Sequence, residues 1–343
     1  MPERVLTLRE LGRATLGRQL LLEPKRLSPK AVIECLVGMQ AQSPQAPFIG
    51  IWTRTTSFRR GSLEREIVNG AIVRATMMRQ TLHLVTRRDY GLIRAALSET
   101  NFPWESGQAK RLAQAIRALA ADGPVDKADA IAYVERQHGL KGYEASRAWR
   151  YARVQGHVVH HHETALWNAR ATGRFVAYDE PDEHVPVEAR AEMLRRYLAA
   201  FGPASRRDIV AWSMMHVREI QAALDLLEPL RRFRDEFGQE LLDLPRAPLP
   251  GPNVPAPVRL LPKWDNALLA FKDRTRILPE EFRKTVIRMN GDVAPTFLVD
   301  GIVAGTWRIE DGRVVTEPFG PLPRAARHEL DEESARLQAW LGG

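Results

Sequence analysis

The order of helical and β-prone segments constrains the fold of this chain most, because one order occurs three times. Helical periodicity over 7–22 and 28–40, with Ser28 as N-cap and Pro29 at the first helical position, leads into a short helical segment. Two β-prone segments follow, separated by Arg79 and Gln80. Three helices followed by a hairpin are typical of a winged helix, and two later stretches repeat the order.

We therefore predict a mainly α chain with β-hairpin wings, an α+β fold made of tandem winged helices and a small C-terminal α+β unit. The hairpin signals of that last unit are Asp300-Gly301 and Asp311-Gly312, and its final helix is predicted from about Asp331. The predicted boundaries are 1–100, 101–182 and 183–244 for three winged helices, 245–257 for a proline-rich extended connector, and 258–343 for the C-terminal unit.

Composition restricts the possible functions only weakly. No apolar run approaches the roughly 18 residues of a membrane span, and the first residues lack the apolar core of a signal peptide, so a cytoplasmic protein is expected. The single Cys35 excludes an internal disulfide and a zinc site built on several thiolates. The formal net charge of +8 favours a polyanionic partner such as DNA, although genome composition alone produces a similar arginine bias.

A local basic cluster lies between residues 141 and 174. Arg147, Arg150 and Arg153 fall on one side of a predicted helix, which suits either phosphate contacts or a solvated face. In a continuous strand His160 and His162 would share a side, but no further ligand lies at a recognised metal-binding spacing, so no metal is predicted. The candidate DNA contacts here are Arg147, Arg150, His160, His161, His162, Arg170 and Arg174.

The segment "CLVGMQAQSPQAPF" places neutral amides two residues apart, Gln40 and Gln42. Such residues lie about 200° apart on a regular helix, so they share a cleft only if the helix ends at the motif. Pro44 favours extended backbone at Ser43 and would allow this. Alternatively, the two amides cap the last helix carbonyls. Gln45 is interpreted as a loop amide.

Three segments, "GMQAQSPQAPFIGIWTR", "MMRQTLHLVTRRDY" and "RLLPKWDNALLAFKDRTRILP", together resemble the helix-turn-helix family of bacterial winged-helix DNA glycosylases. This family excises bulky alkylated or cross-linked bases, and the resemblance covers essentially the whole chain. A Gln-apolar-Gln signature marks its azinomycin-resistance subgroup, and Gln40-Ala41-Gln42 is similar to that signature. The resemblance implies that Gln40 and Gln42 are the catalytic residues.

The expected function is that of a monomeric, monofunctional glycosylase that hydrolyses the N-glycosidic bond of bulky alkylated purines in double-stranded DNA. It would serve base-excision repair or antibiotic self-resistance without a metal or cofactor. Arg79 and His83, beside the first hairpin turn, are predicted to contact DNA or to pack the hairpin. Two other functions stay open: a non-catalytic winged-helix regulator or DNA-protecting protein, and a hydrolase with metal in the histidine-rich hairpin.

Overall fold

The computed structural model describes residues 4–97, 107–169, 173–178 and 184–342, and the predicted DNA contact Arg170 lies outside them. Thr7 and Ser28 cap the first two helices through their side chains, as hydroxyl residues do when they satisfy free N–H groups. The elements of the first predicted unit are β1 (Arg4–Leu6), α1 (Leu8–Arg18), α2 (Pro29–Cys35), β2 (Met39–Gln40), α3 (Gln45–Trp52), α4 (Arg60–Val68), β3 (Ile72–Thr76), β4 (Leu82–Thr86) and α5 (Arg87–Ala96).

The next two predicted units contain the expected helices and hairpin strands, together with a short unpredicted strand, β5. The first of them comprises α6 (Gly107–Ala121), β5 (Val125–Asp126), α7 (Lys127–His138), α8 (Gly142–Gln155), β6 (Val158–His160) and β7 (Arg174–Ala177). The second comprises α9 (Pro186–Phe201), α10 (Arg206–Ser213), α11 (Val217–Asp225), β8 (Arg231–Asp235) and β9 (Glu240–Asp243).

Residues 245–257 carry no helix or strand, as the proline content predicts. Both predicted turns are present, with positive φ angles of 47° at Asp300 and 49° at Asp311. The last helix begins at Arg324, earlier than predicted. The C-terminal elements are β10 (Arg259–Leu261), α12 (Asn266–Leu269), α13 (Arg283–Val286), β11 (Thr296–Val299), β12 (Ile302–Glu310), β13 (Arg313–Pro318) and α14 (Arg324–Gly342).

Three sheets organise these elements into a mixed α+β fold. The largest has the strand order β2-β4-β3-β6-β7-β5, so the hairpins of the first two predicted units share one sheet, joined where Arg74 pairs with His160. The C-terminal sheet has the order β10-β11-β12-β13. In the third sheet β1 runs parallel to β8, and every other strand pair in the described part of the chain is antiparallel.

The largest apolar core joins distant segments of sequence. Tyr197, Phe201 and Trp212 from α9 and α10 are buried there with Ile93 of α5 and Phe271 of the C-terminal segment. This core fixes α10 close to the turn between β3 and β4, where the candidate site lies. Across the described residues, no helix has the length and apolar character of a membrane span.

Candidate active site

Helix α2 ends at Cys35, before Gln40 to which its periodicity extends, so neither glutamine lies on a regular helix. Val37 and Gly38 adopt positive φ angles of 54° and 89°, which stop the helix and turn the chain into β2. The amide of Asn266 donates to the Leu36 and Gly38 carbonyls at 3.2 and 2.7 Å. The helix end is therefore capped from the C-terminal unit, and the glutamines are free for other contacts.

Gln40 and Gln42 lie on an extended segment beside strand β4. Gln40 pairs with His83, and the Ala41 N–H continues the ladder by donating to the Leu82 carbonyl at 2.7 Å. Gln40 is 6% exposed, whereas Gln42 is exposed. The Gln40 Oε1 accepts from Arg79 Nη2 at 2.8 Å, and the Gln42 Oε1 accepts from the Leu82 N–H at 3.1 Å.

These two contacts fix which end of each amide is available. A guanidinium and a backbone N–H can only donate, so the glutamine atom that faces each of them must be the carbonyl oxygen. Each NH₂ group is then directed elsewhere, and neither has a hydrogen-bond partner among the described residues. Each carbonyl oxygen also keeps a second lone pair. The site therefore offers two amide donors and at least one exposed acceptor.

Arg74 on β3 holds the backbone of the motif. Its guanidinium donates to the carbonyls of Ala41 at 2.9 Å and Gln42 at 3.3 Å, and to that of Thr164 at 2.9 Å. Burial lowers the pKa of Arg74 to about 10. Sequence reasoning missed this residue, although a charged residue within the apolar strand "AIVRAT" was a usable signal. Arg74 thus ties the motif to the turn that follows β6.

His83 is a neutral, buried neighbour of Gln40. Its side chain is 2% exposed, and burial, assisted by the charge of Arg79, lowers its pKa to about 3. Its Nδ1 lies 3.1 Å from the Thr81 carbonyl, so this nitrogen carries the proton and donates. A recess lined by His83, Arg79 and Trp212 has essentially no space for a water-sized molecule. In this conformation His83 offers no exposed surface to a large partner.

A buried ion pair connects two of the three sequence segments. Arg54 is 0% exposed and Asp265 3%, and the guanidinium donates to both carboxylate oxygens at 2.7 and 2.9 Å. Arg79 and His83 from the remaining segment contact or pair with Gln40. The three segments that carry the family resemblance therefore meet at one place in the fold.

The predicted arginine face on α8 consists of two residues and not three. Arg147 and Arg150 are exposed, and no hydrogen bond or ion pair joins either to another described residue. Arg153 is 6% exposed, donates to Thr76 Oγ1 at 2.9 Å and lies 4.8 Å from the ring centre of Phe175. Of these three arginines of α8, Arg147 and Arg150 are thus available to phosphates and Arg153 is not.

The histidine-rich turn is built differently from a continuous strand. Strand β6 ends at His160, whose ring lies against Phe175 at 4.5 Å and whose pKa is held well below its usual value by burial and by Arg153. His161, His162 and Glu163 have possible metal-ligand atoms within 4.8 Å of one another. Glu163, however, accepts from Arg174 at 2.9 Å. Arg174 would therefore compete with a metal ion for this carboxylate.

Comparisons with known proteins identify the fold and then the family. The described fold matches the structure of the DNA glycosylase AlkZ of Streptomyces sahachiroi with a TM-score of 0.80 and 20% identity, over 98% of this chain and 97% of that one. It is thus an AlkZ-type mixed α+β fold. A family model described as "DNA glycosylase AlkZ-like" matches residues 33–340, and the chain belongs to that family. A curated relative from Streptomyces sahachiroi, an interstrand DNA cross-link repair glycosylase, is 25% identical over an alignment of 360 positions that covers 92% of this chain and 92% of that protein.

Proposed function

We propose that this protein is a monofunctional DNA glycosylase that acts as a monomer and uses water to release bulky alkylated purines from duplex DNA, without metal or cofactor. The family supports the activity, and the relative named for cross-link repair supports large adducts, including cross-links, as substrates. The observation that carries the proposal is the amide pair. Gln40 and Gln42 are anchored by their oxygens, which leaves both NH₂ groups without a hydrogen-bond partner among the described residues.

The chemistry of amides suits a substrate that is already activated. Alkylation at N7 or N3 makes a purine cationic, so the base departs without strong acid catalysis. The second lone pair of the exposed Gln42 Oε1 can accept a hydrogen bond from the attacking water, and both NH₂ groups can donate to sugar or phosphate oxygens. An amide is too weak a base to deprotonate water early, so attack follows substantial cleavage of the glycosidic bond.

We further propose that three helix-hairpin units act as winged helices that wrap the duplex. Arg147 and Arg150 would hold phosphates, and the β6–β7 hairpin would probe the minor groove beside the glutamines. The bridge made by Arg74 between Ala41 and Thr164 supports the proximity of that hairpin to the motif. The recess lined by Arg79 and His83, the two neighbours of Gln40, lacks room for an extruded base, which supports a mechanism with little or no base flipping.

Base release from a defined duplex tests the function. The full chain is incubated with DNA that carries one bulky N7-alkylguanine, and the freed base and the abasic site are both quantified. We expect Gln42→Ala to bind this duplex as the wild type does but to release base about 100-fold more slowly, as expected when an orienting group is lost. Gln45, predicted to be a loop amide, is instead the exposed first residue of α3, and Gln45→Ala is the matched control that should keep the wild-type rate.

Three results would contradict the proposal. Binding of the damaged duplex with no base release by the wild type would favour a non-catalytic DNA-protecting protein or regulator. Equal rates for Gln42→Ala and Gln45→Ala would remove the amide pair from the chemistry. Strand cleavage before alkali treatment would show a bifunctional enzyme and contradict the monofunctional assignment.

A further inference from the structure

Arg79 occupies an unfavourable backbone position. Arg79 and Gln80 are the central residues of a β-turn within the connection between β3 and β4, and the turn is closed by the Thr81 N–H donating to the Met78 carbonyl at 3.1 Å. Their φ angles are 54° and 55°. Turns with two positive φ angles are normally occupied by Asn-Gly or Gly-Gly, because other residues are strained there. Strained backbone positions persist only where the surrounding structure fixes them, and they cluster at functional sites.

The guanidinium of Arg79 joins the amide motif to a distant helix. Nη2 donates to Gln40 Oε1 at 2.8 Å, and Nη1 donates to the Trp212 carbonyl at 3.3 Å. That carbonyl lies in the last turn of α10, where the helix leaves its carbonyls without internal partners. No carboxylate pairs with Arg79 among the described residues. Two of its five N–H donors are therefore directed at carbonyl oxygens and none at a described carboxylate.

The hydrogen bond from Arg79 to Gln40 Oε1 determines the orientation of the Gln40 amide. If the Gln40 side chain rotated by 180° about its last bond, its NH₂ group would face a guanidinium that can only donate, and the hydrogen bond would be lost. With the carbonyl held, the Nε2 donor is directed away from Arg79. The side chain of Gln40 is buried on strand β2, so Arg79 selects one amide orientation in a nearly fixed position.

We propose that Arg79 is a positioning residue, which holds the amide of Gln40 in its reactive orientation between the β3–β4 turn and the C-terminal end of α10. This proposal rests on the proposed glycosylase function. It differs from a DNA-contacting role for Arg79, because the charge would act through Gln40 and not on a phosphate. Loss of Arg79 should then slow base release without weakening DNA binding.

A double-mutant cycle on single-turnover base release tests the proposal. The variants are Arg79→Met, Arg79→Lys, Gln40→Ala, Gln42→Ala and the two doubles of Arg79→Met with each glutamine substitution. We expect Arg79→Met to reduce the rate at saturating enzyme at least 10-fold with unchanged DNA affinity, and Arg79→Lys to recover part of it. Adding Arg79→Met to Gln40→Ala should cost less than 2-fold more, whereas its effect should multiply with that of Gln42→Ala. Arg308→Met, at the exposed end of strand β12, is the arginine control and should leave the rate unchanged.

The outcomes separate this proposal from the function itself. If Arg79→Met weakens DNA binding and leaves the saturated rate intact, Arg79 is a DNA contact and the positioning role is wrong. Fully multiplicative losses in the Arg79–Gln40 cycle also overturn it. If the wild type releases no base, the proposed function fails; non-additive unfolding midpoints of the Arg79→Met and Gln40→Ala variants would still support the Arg79–Gln40 contact, and additive ones would refute it.

Discussion

Replacement of Asp265 by asparagine should destabilise the protein strongly, although the two side chains have nearly the same shape. Asparagine is nearly isosteric, and like aspartate it can accept from the Ala267 N–H that Asp265 caps at 2.9 Å. What it removes is the negative charge opposite Arg54, whose side chain is 0% exposed. Arg54 keeps its bonds to the Gln19 and Gly50 carbonyls at 3.0 Å each, but its charge is then buried without a partner.

Removal of one member of such a buried pair costs about 3–5 kcal/mol. For a chain of 343 residues, about 4 kcal/mol corresponds to a decrease of roughly 5 °C in the unfolding midpoint. Urea denaturation followed by circular dichroism measures the loss directly. Glu310→Gln is the control, because its partner Arg308 is exposed and such pairs contribute about 0–1 kcal/mol.

The effect should also reach the candidate site. Asn266, the residue after Asp265, caps the end of α2 through the Leu36 and Gly38 carbonyls, immediately before Met39 and Gln40. We therefore expect Asp265→Asn to reduce base release at temperatures where the variant is still folded. A stability loss below about 1 kcal/mol would mean that water or rearrangement compensates Arg54, and would refute the reasoning from burial.

Three further outcomes are expected. Arg147→Glu and Arg150→Glu should each weaken binding to damaged and undamaged duplex alike by roughly 1 kcal/mol or more, and the affinity should depend less steeply on salt. Fluorescence anisotropy measures the affinity, with Arg308→Glu as the control. Unchanged affinity would remove α8 from the interface. Unfolded His83 takes up a proton near pH 6.5 and folded His83 only near pH 3, so the free energy of unfolding should fall between these values as the pH is lowered, by at most about 1.4 kcal/mol per unit from this group. Urea denaturation at pH 6 and at pH 4 gives the change in the free energy of unfolding between these two values. This change should be smaller for His83→Gln than for the wild type, and equal changes would contradict the buried neutral state. Base release should be unaffected by dialysis against a chelator, and its loss would implicate a metal.

Local sequence signals predicted the elements whose determinants are local. Ser28 and Pro29 start α2 through interactions within the helix itself, and Asp300-Gly301 forms its turn because those residues tolerate positive φ. The end of α2 was not predictable in this way. A β-branched valine at φ 54° has no favourable local reason, and the cap is supplied by Asn266, which is 228 residues from Gly38 in sequence.

The candidate site likewise combines residues that the sequence predicted with contacts that it did not. Gln40 and Gln42 were identifiable from a motif and a resemblance, but the orientation of their amides depends on Arg79 and Leu82, which reach them through pairing of β2 with β4. The buried pair of Arg54 and Asp265 spans 211 residues of sequence. Neither residue signals its partner, because charged residues are common in loops and their burial depends on the tertiary fold.

The parallel pairing of β1 with β8 has a consequence for how the chain is made. Residues 4–6 leave the ribosome long before Phe233 to Asp235, their partners in the sheet. At a synthesis rate of about 5–20 residues per second, the wait is roughly 10 to 45 s. During that time Leu6, which is 0% exposed in the folded protein, has no hydrophobic partner from β8. We expect the helices of the nascent chain to form first and this strand to dock late, when translation has supplied the third hairpin.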